Sequence, residues 1–487
     1  MGKKSIKKNY VYNLVYQVLI LILPLITTPY ISRVLGAEGV GIYSYTSSIV
    51  AYFTLFGSLG ISLYGQREIA YAGENLSTRK KVFWEMIVLR GITMAIAIVV
   101  YGVTFMNGAQ YQIYYQILVL ELVAAALDIS WFFQGMEEFK VTVTRNVIVR
   151  LVSVGLIFLL IKNPADLAKY VLIYSLANVL GNLTLWVYLP KLFKGIKVKN
   201  FNFIRHIIPV VLLFIPQIAN QIYNIVDKTM IGALISDKAE LGNYEQSQKI
   251  LRVLITIETS LGVVMIPRIA NIFANGDKKT LNSYIDKSFN LVFLLGFPMM
   301  LGMICVAKEF IPIFLGGGYQ KAILLTQVLA PSILLYGMSN VLGTQYLLPT
   351  KRQKQYTISI VAGLIINVIL NFLLVYPFGA VGVSISTIIA QTIVVLVQFY
   401  AVRKEINIPK IIRLSYKYIA SSLVMFLLCI LIGIFIKGNF TALVIKIAVG
   451  GIAYFLLLWR LKEENIMAGL EMIKTKALKK PIGKHYK

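Results

Sequence analysis

Apolar runs alternate with short polar segments along almost the whole chain. Each run holds about twenty residues, the length that lets a helix rising 1.5 Å per residue cover a hydrocarbon core of roughly 30 Å. The runs fall near 11–32, 40–64, 82–106, 112–135, 143–162, 168–190, 207–234, 241–266, 288–311, 321–347, 355–377, 379–402, 414–436 and 441–460. They are too long and too continuous for the alternating strands of a membrane β-barrel. The pattern predicts an all-α polytopic membrane protein with fourteen crossings, one for each run. The first run carries Pro24 and Pro29 and lacks a small-residue cleavage motif, so it reads as the first crossing and not as a cleaved leader.

Composition supports this reading. The mean hydropathy is +0.75, with 58% hydrophobic and 14% charged residues. A soluble chain has about a quarter of its residues charged. Cys305 and Cys429 both fall inside apolar runs and predict no disulfide framework.

Charge adds orientation. Lys+Arg number 48 against 21 Asp+Glu, a net charge of +27. Such an excess suits a nucleic-acid binder, but its placement argues against one. The cations gather in alternate connections: Lys3, Lys4, Lys7 and Lys8; Arg79, Lys80 and Lys81; Lys140 and Arg145; Lys191, Lys194, Lys197, Lys199 and Arg205. Arg268, Lys278, Lys279 and Lys287 follow, then Lys351, Arg352 and Lys354, then Arg403, Lys404, Lys410, Arg413 and Lys417, then a basic tail. The intervening connections are nearly bare. By the positive-inside rule both termini are cytoplasmic and the number of crossings is even. The basic segments either touch anionic lipid head groups or only set this topology.

A repeat organises the crossings. Gly36-Ala-Glu-Gly-Val-Gly41-Ile-Tyr43 leads into the second run, and Asp237-Lys-Ala-Glu-Leu-Gly242-Asn-Tyr244 leads into the eighth. Aligning Gly41 with Gly242 also aligns Tyr43 with Tyr244 and Ile49 with Ile250. Basic turns, Gln134 to Lys140 and Pro349 to Lys354, precede runs that carry Asn146 and Asn367. A period of six crossings keeps the two halves in the same orientation. The expected organisation is 1–200 as an N-lobe, 201–404 as a C-lobe, and 405–487 as an appended helix pair with a basic tail. The two lobes would face a central cavity.

Ionisable residues interrupt the apolar runs at Arg33, Arg90, Glu121, Asp128, Arg150, Asp227, Lys228, Lys249, Arg252 and Glu258. Each costs about 2.5–3.5 kcal/mol at a helix centre on insertion scales, so it should face protein or a wet cavity. In the seventh run Gln217, Asn220, Gln221, Asn224, Asp227 and Lys228 form one helical stripe. Asp227 and Lys228 are adjacent and cannot pair with each other, so each needs a partner elsewhere. Glu245, Lys249, Arg252, Thr256 and Thr259 form a second stripe, and Glu258 falls off it. Such residues either bond between helices or line a cavity. Cations outnumber acids, which makes a lined cavity positive and suited to phosphate. The acids would neutralise those cations or serve cation coupling.

No Walker A motif, nucleophile elbow or metal-ligand cluster is present, which argues against an enzyme or an ATP-driven pump. Histidine is limited to His206 and His485.

The segment from Pro29 to Tyr43, with Gly65-Gln-Arg67-Glu68, Trp131 to Phe139, Arg145-Asn146, Asp227-Lys228, Gly242-Asn-Tyr244, Asn367, Asn371 and Gly379-Ala-Val-Gly382, resembles the bacterial polysaccharide-repeat-unit flippases of Wzx type. These belong to the multidrug/oligosaccharidyl-lipid/polysaccharide exporter superfamily. The resemblance covers nearly the whole chain in order. It implies a cytoplasmic-membrane protein with two six-helix lobes in a V and alternating access. The implied substrate is an undecaprenyl-pyrophosphate-linked oligosaccharide, moved to the outer leaflet. On that resemblance Arg33, Arg90, Arg150, Lys228 and Arg252 hold pyrophosphate or sugar acids, with Lys249 nearer the outer rim. Asp128 and Asp227 pair with them or answer to H+ or Na+. Pro24, Pro29, Pro209 and Pro216 bend equivalent helices of the two lobes. Implied partners are membrane lipids, a polysaccharide polymerase and glycosyltransferases. A lipid II flippase or a multidrug/cation antiporter would share the fold, and a non-transporting scaffold of a polysaccharide assembly complex would need no charged cavity.

Overall fold

The computed structural model describes residues 6–195, 201–436 and 438–467, without the side chains of 6–21, 139, 215–217, 261, 263 and 264. The predicted topogenic cations Lys3, Lys4, Lys197 and Lys199, and the tail beyond residue 467, lie outside the described residues. The helices are α1 (Ile6–Ser58), α2 (Ile61–Tyr71), α3 (Leu76–Phe105), α4 (Gln112–Leu127), α5 (Ser130–Gly135), α6 (Phe139–Leu160), α7 (Leu167–Trp186) and α8 (Leu189–Phe193). They continue as α9 (Ile207–Leu234), α10 (Lys238–Ala274), α11 (Lys278–Leu315), α12 (Gln320–Leu329), α13 (Ser332–Ser339), α14 (Gln353–Val402), α15 (Ile408–Phe435) and α16 (Asn439–Arg460). A π-helical stretch, Asn340–Leu347, follows α13. No strand occurs among the described residues.

Caps set several of these boundaries. The Asn75 side chain accepts from the Thr78 amide at 3.0 Å at the start of α3. Asn407 does the same for Lys410 at 3.0 Å at the start of α15. Inside the two longest helices, Gly36 (φ 68°) and Gly379 (φ 59°) take backbone angles that a side chain resists, and the helix breaks there.

Among the described residues, ten helical runs are long and apolar enough to cross a membrane, or twelve if each of two bent pairs makes one crossing. Two of the ten, Ile22–Tyr71 and Gln353–Val402, hold 50 residues each. At 1.5 Å per residue each reaches about 75 Å, more than twice the hydrocarbon core. The first breaks at Gly36, between two predicted runs, and the second at Gly379, where a predicted run begins. The observed helices are compatible with fourteen crossings, and the protein is an all-α polytopic membrane protein. Large apolar side chains such as Val103, Val187 and Phe435 face outward, as hydrocarbon solvent permits.

The chain forms two compact units. The first holds 1–246, 315–321 and 364–386; the second holds 247–314, 322–363 and 387–487. In the first unit, one core gathers Ile31, Tyr101, Leu122 and Val171, and another gathers Ile61, Phe83, Trp131 and Leu185. The N-terminal turns of α10 cross α1 in this unit with no side chain between them. A Cβ on Gly41 would overlap the Lys238 carbonyl, and one on Gly242 would overlap the Ala37 carbonyl. The two glycines aligned by the repeat therefore sit in reciprocal backbone contact.

The second unit centres on Phe289, Phe293, Val341, Leu347 and Tyr418. A buried ion pair fastens α16 to α11: Lys446 Nζ donates to Glu309 Oε1 at 2.7 Å and to the Cys305 carbonyl at 3.2 Å. The Tyr454 hydroxyl adds a bond to the Leu294 carbonyl at 2.8 Å. Beyond the end of α14, the Glu405 carboxylate pairs with Arg352 and accepts from the Tyr346 hydroxyl at 2.8 Å. Partial burial pushes its pKa up, but the bonds from Arg352 and Tyr346 outweigh this and hold it below the usual carboxylate range.

Two outcomes test this packing. Lys446→Ala leaves Glu309 as an uncompensated buried charge, and should cost about 3–5 kcal/mol; Lys446→Met with Glu309→Leu should recover most of it. Thermal unfolding in detergent micelles measures both. Because the folded pKa of Glu405 is lowered, its contribution is complete above the unfolded carboxylate value near 4.3. It is lost as pH falls through the lowered value. The melting-temperature gap between wild type and Glu405→Gln should therefore be full at about pH 6 and close on acidification.

Candidate functional site

Two neighbouring residues of α9 part company in the first unit. Asp227 turns into the helix packing and is 5% exposed. It accepts from the Tyr244 hydroxyl at 2.7 Å on one oxygen and from Asn371 Nδ2 at 2.7 Å on the other. Asn371 also bonds Asn367 at 3.3 Å, so the asparagines of the eleventh run support this carboxylate. Lys228 points another way and pairs with Glu245 at 2.7 Å while remaining about a quarter exposed. Glu245 is in turn held by the Ser44 hydroxyl at 3.1 Å. Of the partners open to each charge, another helix, water or a substrate, both have one on another helix.

A polar belt continues from Glu245 across α1, α4, α6 and α7. Tyr43 packs edge-on against Tyr170 and Tyr174, with ring centroids 5.1 and 6.3 Å apart. Arg150 donates to the Tyr174 hydroxyl at 3.3 Å and lies 5.7 Å from its ring centre. Both Arg150 and Glu245 are close enough to act on Tyr170. Glu121 accepts two bonds from Asn178, at 3.0 and 3.1 Å, and acts on Tyr43. The belt thus presents two cations, one of them exposed and one half-exposed, beside three half-buried tyrosines. Such a surface can exchange a carboxylate partner for a phosphate, and can offer aromatic faces and hydroxyls to a sugar.

Other predicted residues have different places. Arg90 is 3% exposed, donates to the Asp128 carbonyl at 2.8 Å and pairs with its carboxylate at 3.9 Å. Asp128 also accepts from the Ser130 amide at 2.9 Å, across the break between α4 and α5. Arg90 and Asp128 together brace that break. Arg33 sits three residues before the Gly36 break, where its side chain lies along Gly316. On α9, Gln221 and Asn224 are exposed and Asn220 is half-buried, while the Gln217 side chain lies outside the described residues. Lys249, Arg252 and Glu258 belong to the second unit, where Lys249 is half-buried, Arg252 exposed and Glu258 buried.

Tyr43, Tyr170 and Tyr174 were not predicted site residues, because an aromatic inside an apolar run carries no signal of its own. A second unforeseen cluster lies where α3 and α9 begin. Glu85 is fully buried and accepts from the Asn202 amide (2.7 Å) and Arg205 (2.6 Å). His206 lies 3.0 Å from Glu85 and 2.8 Å from the Tyr64 hydroxyl. This cluster anchors the start of α9.

A helical membrane protein with a cation-bearing polar belt is a transporter in class. The family model for polysaccharide biosynthesis proteins matches residues 6–273, and that for the lipid II flippase MurJ matches 201–454. The chain belongs to the polysaccharide biosynthesis protein family, the Wzx-type flippases of the multidrug/oligosaccharidyl-lipid/polysaccharide exporter superfamily. An Escherichia coli K12 protein named "Putative O-antigen transporter" is 25% identical over 83% of this chain and 98% of its own length. A Haloferax volcanii protein named "Probable low-salt glycan biosynthesis flippase Agl15" is 22% identical over 74% of this chain and 75% of its own. The solved structure of "Lipid II flippase MurJ, inward closed conformation" superposes with a TM-score of 0.71 at 16% identity, covering 94% of this chain and 99% of that one.

The two arginines of the first unit should separate on substitution. Arg90→Ala removes a buried guanidinium and its bond to the Asp128 carbonyl at the helix break, so it should destabilise by about 1.5–3 kcal/mol. Arg150→Ala, at an exposed position, should change stability by less than about 1 kcal/mol. Parallel melting curves of the purified variants decide this.

Proposed function

We propose that this protein is a flippase of lipid-linked oligosaccharides. It moves an undecaprenyl-pyrophosphate-linked repeat unit from the inner to the outer leaflet of a bacterial cytoplasmic membrane by ion-coupled alternating access. The observation that carries this reading is the tyrosine-lined belt of the first unit, with Arg150 and the Lys228–Glu245 pair, on a chain of this family. The alternation of basic connections supports cytoplasmic termini, which puts the pyrophosphate's starting leaflet on the basic side. Pyrophosphate offers acidic oxygens to Lys228 and Arg150, and the sugars offer ring faces and hydroxyls to the tyrosines. Asp227, held by Tyr244 and Asn371, keeps its charge in place and is a candidate for answering a coupling cation. Glycosyltransferases that build the unit and a polymerase that consumes it would act on either side of this step.

Lipid II is the second reading, and the MurJ match over 201–454 favours it. Both substrates share the polyprenyl pyrophosphate and differ in the sugar.

Proteoliposomes loaded with a fluorescent lipid-linked oligosaccharide or with lipid II test the proposal. Each cation removed forfeits a charge-assisted bond of about 1.5–3 kcal/mol, so Lys228→Ala or Arg150→Ala should slow translocation by roughly 10–100-fold. Unchanged translocation in both variants would overturn the role of the belt. Movement of lipid II alone would replace the first substrate with the second.

A further inference from the structure

Glu258 differs from every other acid considered above. It lies in the middle of α10 and is 3% exposed. Neither of its carboxyl oxygens has a hydrogen-bond partner among the described residues. Its surroundings are nonetheless shaped to admit it. A Cβ on Gly337 of α13 would overlap the carboxyl group, and a Cβ on Gly296 of α11 would lie 2.8 Å from Oε1. Leu334 closes the same space beside Gly296. Two helices thus omit a side chain where the carboxyl group lodges.

The nearest polar groups are neutral. One turn along α10, a Cβ on Gly262 would meet the side chains of Asn340 and Gln345. Gln345 donates to Asn340 at 2.9 Å and accepts from Ser288 at 2.8 Å. Among the described residues, the side chains met here from α13 and the π-helical stretch, Leu334, Asn340 and Gln345, carry no charge. An ionised carboxylate here would lose its water and gain nothing. Asp227 shows the contrast, with two donors aimed at its oxygens.

We propose that Glu258 is a proton-binding site of the second unit. It holds a proton in the conformation described and gives it to water when that part of α10 becomes hydrated in another state of the cycle. The O–H bond breaks at the carboxyl oxygen, and the carboxylate is recharged by a proton from the opposite aqueous face. The role of this site in driving transport rests on the flippase reading; the resident proton does not.

Infrared difference spectroscopy of the full-length protein in lipid nanodiscs tests the resident proton. The carbonyl stretch of a protonated carboxylic acid should be present at neutral pH and vanish in Glu258→Gln. Gln mimics the neutral acid in shape, so the variant should melt with the wild type. Gly337→Ala, which crowds the carboxyl group, should shift or abolish the same band. A wild-type spectrum without the band, or one that Glu258→Gln leaves unaltered, overturns the site. In proteoliposomes, an imposed pH gradient should speed wild-type translocation, and Glu258→Gln should lose roughly tenfold of that stimulation. An unchanged gradient response in the variant overturns the coupling role. A band lost in Glu258→Gln, in a protein that moves no oligosaccharide, upholds the proton site and counts against the flippase reading alone.

Discussion

The first unit depends on two backbones touching at Gly41 and Gly242. Each glycine admits the other helix's carbonyl, so α1 and the start of α10 approach as closely as peptide chains can. Everything polar nearby is registered from that contact. Ser44 and Glu245 lie three residues past the two glycines, and they are hydrogen-bonded. Glu245 then meets Lys228, and Tyr43, next to Ser44, opens the aromatic part of the belt. A further close approach, where a Cβ on Gly232 would overlap the Tyr45 ring, presses α9 against the same stretch of α1. Small residues here convert helix packing into side-chain geometry.

The polar groups follow one rule of hydrocarbon solvent: water will not satisfy them, so protein must. In some pairs at least one charge is fully enclosed by protein, as with Arg90 beside Asp128, Glu85 beside Arg205 and His206, and Lys446 beside Glu309. These hold a helix break, a connection and α16 in place. Others keep partial access to the outside, as Lys228 and Arg150 do. Lys228 and Arg150 are cations with access of their own, whereas Arg90 and Lys446 are enclosed, and that difference is not visible from sequence spacing.

The legible parts of the sequence were those with local causes. The apolar runs foretell the helices, and the divisions between runs at 33–39 and 378 fall at or beside the breaks in the two longest of them. The alignment of Gly41 with Gly242, drawn from a few identities, coincides with a physical contact. Adjacent Asp227 and Lys228 required separate partners, and they have them. What spacing could not supply was the identity of partners far along the chain. Glu85 and Arg205 are 120 residues apart, and Glu309 and Lys446 are 137 apart. Glu85, Glu309 and Lys446 lie near the ends of apolar runs, where spacing alone points to no partner. The tyrosines of the belt were hidden by their own apolarity.

The separation between Glu309 and Lys446 has a consequence for how the protein is made. A ribosome adds about 5–20 residues per second, so Glu309 is synthesised roughly 7–27 s before its lysine. Throughout that interval α11 must tolerate an acid without its counter-charge, either by keeping a proton or by keeping water. Only the arrival of α16 ends that state. The arrival of α16 is therefore a checkpoint of assembly, and a nascent protein halted before it carries an unfinished, water-seeking flaw in its second unit.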